Sequence, residues 1–337
     1  MTSSVLRFNQ VTPGLEREDV AARYRATVDM AAFAEEAGLD MVTLEEHHAA
    51  EDGWSPAPLA TAGAVLGATR RIAVMVSALI TPLYDPLRLA EEVAVLDHIG
   101  RGRLSLVAGI GYRPEEYEMF GREWKRRGRL QDEVLETLLA AWTGEPFEYR
   151  GRTVRVTPPP YSRPHPPLLV GGTSMAAVRR AVRLRLPFFS ADHLPELADA
   201  YHALSAEEGF EGGFALLPPS SSRFVFCAED PDRFWAEHGR HLLHEARTYA
   251  TWQRPEISSA AASHATESVE QLRGEGVYRC LTPDECVTEA QSQGPLGALI
   301  LHPLCGGLPI DAGWSSLQLF ADRVLPRLKT PAAAATS

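Results

Sequence analysis

Short apolar runs alternate with longer stretches of helical period along most of the chain. The runs are Val5 to Asn9, Met41 to Glu45, Ile72 to Leu79, Leu104 to Ala108, Leu168 to Val170, Pro187 to Ser190, Arg223 to Cys227 and Leu296 to His302. Each is too short for a helix and reads as a buried strand. Between the first two, Val20, Tyr24, Val28, Ala31 and Ala34 recur near helical spacing, which predicts a helix over Asp19 to Ala37 with Gly38 as its stop. Pro58 to Thr69 is the second helix. The third is signed at both ends, by Asp85 as N-cap with Pro86 at the first turn and by Gly100 as stop, and its apolar face is Leu89, Val93, Leu96 and Ile99.

After the fourth strand the pattern lengthens. Lys125 to Trp142 reads as a long helix, Phe147 to Val156 as a hairpin turned by Arg150-Gly151, and six prolines between Pro158 and Pro167 as a stiff connector. Helices follow over Met175 to Leu184 and Pro195 to Glu208. Beyond the seventh strand, helices over Asp232 to Trp252 and Ser268 to Arg273 flank the Ser/Ala-rich stretch Ser258 to Thr266, the candidate lid, and Leu308 to Leu328 closes the chain.

Eight strands alternating with eight helices predict an α/β fold, a TIM-type (β/α)8 barrel with insertions after strand 4 and between strands 7 and 8. Residues 1–329 are expected to form one domain and 330–337 a disordered tail. A doubly wound sheet would need a phosphate fingerprint after its first strand, and Phe8-Asn9-Gln10 is not one.

The composition narrows the function. Net charge is −11 over 337 residues, which argues against a nucleic-acid or anionic-membrane partner. No apolar stretch approaches the roughly 20 residues of a membrane span, and no charged-then-apolar leader pattern precedes Val5, so a cytoplasmic protein is expected. Cys227, Cys280, Cys286 and Cys305 include no Cys-x-x-Cys pair, so they are expected to be buried free thiols and no metal site is expected.

A barrel keeps its chemistry at the C-terminal ends of its strands. This chain places there Gln10, Glu46-His47, Ser77-Ala78-Leu79, Gly109-Ile110-Gly111-Tyr112, Gly171-Gly172-Thr173-Ser174, Asp192-His193, Cys227 and His302. Charge is scarce and small residues are common, which suits a flat aromatic cofactor better than a metal. Glu46-His47-His48 carries the sharpest chemistry. Adjacent residues at a strand end point to opposite faces, so one imidazole can face the mouth and serve in proton transfer. The alternative is a pair of histidines satisfied at a strand end. Gly171-Gly172-Thr173-Ser174 opens a helix whose free amides suit a phosphate, or it is a plain capped turn. Gly109-Ile110-Gly111-Tyr112-Arg113-Pro114 lacks the third glycine of a dinucleotide fingerprint, and close approach of its backbone to a ring system is the better account. The basic run Lys125 to Arg129 is a solvated helix face or an attractor for an anionic tail.

Several stretches in this order resemble the bacterial luciferase-like monooxygenase family. They are Glu46-His47-His48 with Ser55-Pro56, Leu66 to Ile72, Asp85-Pro86 with Leu89-Ala90-Glu91 and Leu96-Asp97, Gly102-Arg103-Leu104 through Gly109-Ile110-Gly111-Tyr112, Glu116 and Phe120-Gly121, and Pro166 to Gly172. The resemblance is good over Ala31 to Pro187 and weak over Gly209 to Gly294. It implies a barrel that binds reduced FMN or the deazaflavin relative, with Glu-His-His favouring FMN. It implies a phosphate seat at Gly172, Thr173 and Ser174 with the turn around Ala177, and a bulge or non-proline cis peptide near Ser77-Ala78. His47 corresponds to the family's active-site histidine, Glu46 stands beside it as a second catalytic candidate, and Gly109, Gly111, Tyr112 and Gly171 complete the cofactor set. No basic ligand stands at Ile110, which leaves a phosphate to backbone amides and Arg113.

The resemblance further implies a two-component monooxygenase. Reduced FMN would take up O2 and oxidise a small organic substrate, a separate flavin reductase would supply the cofactor, and the protein would be a homodimer. A deazaflavin-dependent reductase or dehydrogenase that moves a hydride without O2 is the alternative. A flavin-binding relative without turnover is the third reading.

Overall fold

The structure, a computed structural model, describes residues 2–211, 213–218, 224–253, 266–293 and 297–329. In chain order the first elements are β1 (Ser3–Phe8), α1 (Arg17–Ala37), β2 (Met41–Leu44), α2 (Pro58–Ala68), β3 (Ala73–Ile80), α3 (Pro86–Gly100) and β4 (Leu104–Gly109). Next come α4 (Pro114–Met119), α5 (Arg127–Ala141), β5 (Phe147–Tyr149), β6 (Arg152–Val154), β7 (Leu168–Gly172), α6 (Met175–Arg183), β8 (Phe188–Ser190), α7 (Pro195–Glu207) and β9 (Ala215–Leu216). The rest are β10 (Phe224–Cys227), α8 (Pro231–Trp252), α9 (Val269–Glu275), β11 (Tyr278–Leu281), α10 (Pro283–Ser292), β12 (Ala298–Leu301), α11 (Ile310–Arg323) and α12 (Leu325–Lys329).

The chain divides into two compact units. One comprises Met1–Thr43, Pro219–Thr251 and Ala261–Ser337, and the other Leu44–Pro218 with Trp252–Ala260. In the first unit the strands lie in the order β11-β10-β12-β1-β2, with β10 parallel to both β11 and β12 and β1 parallel to β12. Its core is Phe224, Phe226, Phe234, Trp235, Leu242 and Tyr278. In the second unit the order is β3-β4-β7-β8-β9, again with parallel pairings. Parallel neighbours need a crossover, and α3, α6 and the α4–α5 segment supply it, which makes the fold α/β.

All eight anticipated strands are present within a few residues of their expected bounds. The β5–β6 hairpin turns on Arg150 and Gly151, whose φ values of 48° and 75° are the left-handed pair that a tight hairpin turn requires. On α3, the Asp85 side chain accepts from the amides of Leu87 and Arg88, both at 3.1 Å, and Leu89, Val93 and Leu96 are buried. Each such burial stabilises by about 1.5–3 kcal/mol.

Some expectations need correction. Gly100 is the last residue of α3 rather than its stop, and the left-handed turn falls on Arg101. A Cβ on Gly100 would lie 2.9 Å from Leu66 Cδ2, so this glycine serves the close packing of α2 on α3. Ile99 is 47% exposed, not part of the buried face. The core face of α1 is Arg23, Ala26, Thr27, Met30, Ala31 and Ala34, rotated from the expected Val20–Tyr24–Val28 line. Arg23 is tolerated there because its guanidinium donates to the carbonyls of Leu304 and Leu308. Residues 278–281, unassigned in the sequence reading, form β11 beside β10. The closing helix is broken into α11 and α12. The tail 330–337 and all of the candidate lid except Thr266 lie outside the described residues.

Candidate active site

The run Met41–Leu44 ends as a strand, and the next four residues leave it buried. Glu45 Oε1 accepts from Trp54 Nε1 at 2.9 Å. The Glu46 carboxylate collects the Ile80 amide at 2.5 Å, the Tyr84 hydroxyl at 2.5 Å and His48 Nε2 at 2.9 Å. Burial first, and then the Glu46 charge and hydrogen bond, push the Tyr84 hydroxyl well above the usual phenol range. His48 also meets Phe120 edge-on, with ring centroids 4.7 Å apart. Glu46, His48, Tyr84, Leu59, Leu83 and Phe120 border an open cavity of about 690 Å³.

His47 turns to different company. Its Nδ1 lies 3.3 Å from Glu116 Oε1 and its Nε2 lies 3.4 Å from the Tyr112 hydroxyl. Three aromatic rings wall the imidazole, with centroids 4.9 Å (Trp252), 5.5 Å (Tyr112) and 6.1 Å (Trp54) away. The Arg113 guanidinium stacks over Trp252 at 4.2 Å and donates to the His48 carbonyl at 2.6 Å. Glu116 Oε1 accepts the His48 amide at 3.0 Å and lies 3.5 Å from Arg113 Nη1. Glu116 Oε2 is buried without a hydrogen-bond partner among the described residues. Two adjacent imidazoles are thus split between separate environments, which precludes their sharing a metal.

β4 and β7 end in small residues, Ala108-Gly109 and Gly171-Gly172, and β3 carries Ser77-Ala78 two residues before its end. Ser77 and Ala78 are joined by a non-proline cis peptide, and the β3–β4 register shifts between Ser77 and Leu79, where the family resemblance implies such a feature. A Cβ on Gly109 would lie 2.7 Å from Ala78 Cβ. On Gly171 it would lie 2.7 Å from Val107 Cγ1, and on Gly172 2.7 Å from Ala177 Cβ. Gly111 has φ 70°, a conformation that side-chain-bearing residues rarely adopt. Gly172 leads to Ser174, the N-cap of α6, whose hydroxyl accepts from the Ala177 amide at 3.4 Å. The first-turn amides of such a helix point outward with the positive end of its dipole. Two further polar atoms end without partners among the described residues here, Gln131 Oε1 and Ser190 Oγ. Gln131 Nε2 donates to the Ala108 carbonyl, and Ser190 pairs with Gly172 across β7–β8.

Other expected candidates lie apart from His47 in their contacts. Gln10 donates to the Thr27 hydroxyl within the first unit. The Cys227 amide donates to Ser316 Oγ. His302 is fully enclosed, with Nδ1 on the Arg7 carbonyl at 3.1 Å and Nε2 on Glu245 at 3.0 Å. Glu245, His302 and Cys305 could in principle ligate a metal. Glu245 already accepts from Arg7, Asn9 and the Gly306 amide, and Arg7 supplies the cation. His193 binds the Pro218 carbonyl. In the basic run, Arg127 stacks on Trp124 at 4.0 Å, while Lys125, Arg126 and Arg129 are exposed.

From the sequence Trp54 is expected only to shape the mouth, and no catalytic or cofactor role falls to Glu116 or Trp252, yet all three meet the histidine segment. Glu116 is in the first turn of α4, where acids ordinarily serve the helix dipole, so no local pattern set it apart.

The luciferase-like monooxygenase family model matches residues 1–291. The alpha chain of alkanal monooxygenase from Photorhabdus luminescens is 29% identical over 168 residues, 48% of this chain and 46% of its own. An uncharacterized protein of Sinorhizobium fredii is 29% identical over 168 residues, 48% of either chain, so the match spans about half the length of these curated relatives. Among solved structures, a monooxygenase from Streptomyces bottropensis superposes with a TM-score of 0.76 at 23% identity, covering 97% of this chain and 100% of that one. The oxygenating constituent of 3,6-diketocamphane monooxygenase from Pseudomonas putida, described as a type II Baeyer-Villiger monooxygenase in complex with FMN, gives 0.74 at 21% identity, covering 98% and 99%. The structural likenesses establish a shared fold, and the match along 1–291 establishes descent: this chain belongs to the luciferase-like monooxygenase family.

Proposed function

We propose that the protein is the oxygenating component of a two-component flavin monooxygenase that oxidises a small apolar organic molecule, on a closed (β/α)8 barrel. One observation carries the reading: an imidazole walled by Trp54, Tyr112 and Trp252 belongs to the same compact unit as strand ends that carry glycine at Gly109, Gly171 and Gly172, where the backbone packs too closely for a side chain. The residues fit a reduced flavin. The backbone from Gly172 to Ser174, with the first-turn amides of α6 ahead of Ala177, whose own amide is taken by Ser174, would hold its phosphate without a basic side chain. Ser77, Ala78, Gly109, Gly111, Tyr112 and Gly171 would border its ring. The Gln131 and Ser190 oxygens, without partners among the described residues, offer polar contacts to the same group. Reduced FMN supplies the reaction with O2 when bound.

The chain's own residues do the rest. His47 is the acid–base group, exchanging a proton with the substrate through Nε2. Trp54 and Trp252 exclude water from it and select an apolar substrate. Glu46 is locked by three donors and ties its own segment to the Ile80 amide and Tyr84 rather than reacting. A separate reductase supplies the reduced flavin. Exposed Val95 and Ile99 on α3 suit a homodimer, and four buried cysteines in the thiol form suit a cytoplasmic setting.

Anaerobic titration of the purified chain with reduced FMN and with reduced deazaflavin, followed by oxygen uptake with a panel of small apolar substrates, tests the proposal. Binding of reduced FMN with substrate-dependent oxygen uptake supports it. Selective binding of the deazaflavin, with hydride transfer in the absence of O2, would replace it by the reductase reading.

A further inference from the structure

We infer that Glu116 is the positioning residue that holds His47 in the tautomer with its proton on Nδ1 and its lone pair on Nε2. The inference rests on His47 being the acid–base group, but its physical content is independent of turnover. A carboxylate only accepts, so the ring nitrogen 3.3 Å from Glu116 Oε1 has to donate. That places the proton on Nδ1 and leaves Nε2 to accept from the Tyr112 hydroxyl, 3.4 Å away. Reaction at Nε2 requires this arrangement, because the opposite tautomer would present N–H where a base is needed.

Glu116 is itself fixed. It is fully buried, its Oε1 also accepts the His48 amide at 3.0 Å, and Arg113 Nη1 stands 3.5 Å away. One oxygen therefore grips both the His47 ring and the backbone of the next residue, so ring orientation and loop position are set together. Arg113 is held by the His48 carbonyl and the Trp252 face. The second oxygen, buried and unpartnered among the described residues, marks Glu116 as more than a structural tie. A carboxylate present only to brace the fold would have both oxygens satisfied, as those of Glu245 are.

The test is nitrogen-15 NMR on protein labelled at histidine, with the His47 signals assigned by their loss in His47→Gln. Wild type is expected to show His47 protonated at Nδ1. Glu116→Gln, whose amide oxygen still accepts, is expected to keep that tautomer. Glu116→Leu, which cannot accept, is expected to shift the population to the Nε2–H form and to lower substrate-dependent oxygen uptake with reduced FMN on the order of 10²-fold. A wild-type spectrum showing Nε2–H overturns the inference outright, even if Glu116→Leu fails to fold. A folded Glu116→Leu that retains Nδ1–H overturns it as well. If the tautomers behave as stated while His47→Gln keeps full oxygen uptake, the positioning role stands and the acid–base reading of His47 fails.

Discussion

Glu245 with His302 in the first unit and Glu116 with His47 in the second are the same chemical pair, a buried carboxylate against an imidazole. Their surroundings differ. Glu245 takes hydrogen bonds on both oxygens, from Arg7, Asn9, His302 and the Gly306 amide, and both His302 nitrogens meet acceptors. Burial alone would raise the Glu245 carboxyl, but the charges of His302 and Arg7, with the hydrogen bonds from His302 and Asn9, hold it well below the usual carboxylate range. Glu116 keeps one oxygen unpartnered among the described residues, its contact with the imidazole is longer, and aromatic rings surround the histidine. A saturated network braces the fold. An unsaturated one retains valence for chemistry, and the substitutions that follow set one against the other.

The largest effect should come from Glu245→Ala. It strands Arg7 and His302 in the core, and breaking a buried pair costs about 3–5 kcal/mol. Chemical denaturation should register that loss, whereas Glu116→Gln should change the midpoint far less. Equal losses at the two sites would erase the distinction. His47→Ala should reverse the ranking, with substrate-dependent oxygen uptake falling roughly 10²–10⁴-fold while the denaturation midpoint moves little.

Next in size is the cofactor seat. Gly172→Ala drives a methyl against Ala177 Cβ and should weaken FMN binding roughly tenfold, about 1.4 kcal/mol. Gly121→Ala is the control for backbone strain alone, since φ there is 61° and no atom lies within 4 Å of the new methyl. It should cost stability and leave binding unchanged, as read by calorimetry.

The mildest test is pH. Burial, and then the charge of Arg240, lower the His241 pKa to about 4 in the folded state. Its unfolded value is near 6.5. Between these values the unfolded chain binds more protons, so stability should fall as pH drops from about 6.5 to 4. Glu245, depressed in the folded state, adds stability above its unfolded value and loses it as pH falls further. Acid unfolding followed by fluorescence should therefore begin above the carboxylate range. His241→Gln should remove the upper part of that slope, and an unchanged slope would refute the assignment.

Strands were legible along the chain because each is a short apolar run with polar ends, and the glycines and histidines that follow them were legible as strand-end residues. The face of α1 was not, because Arg23 and Thr27 are buried polar residues, Arg23 satisfied by the carbonyls of Leu304 and Leu308 far along the chain and Thr27 by the Arg23 carbonyl and the Gln10 amide. The short strand β11 mixes Arg279 among its apolar residues and carries no clear period. Glu46 was legible as chemically notable but not as locked, since its donors Ile80 and Tyr84 lie more than 30 residues away. Glu116 reads locally as a helix-start acid, and only its approach to His47 from 69 positions along the chain reveals its part.

A crystal structure of the protein soaked with FMN tests the central claim most directly. The phosphate is expected on the amides from Gly172 to Ala176, the ring against Ala78 and Gly109, and His47 facing it with its link to Glu116 intact. A flavin bound elsewhere, with the Gly172 turn bare, would contradict it.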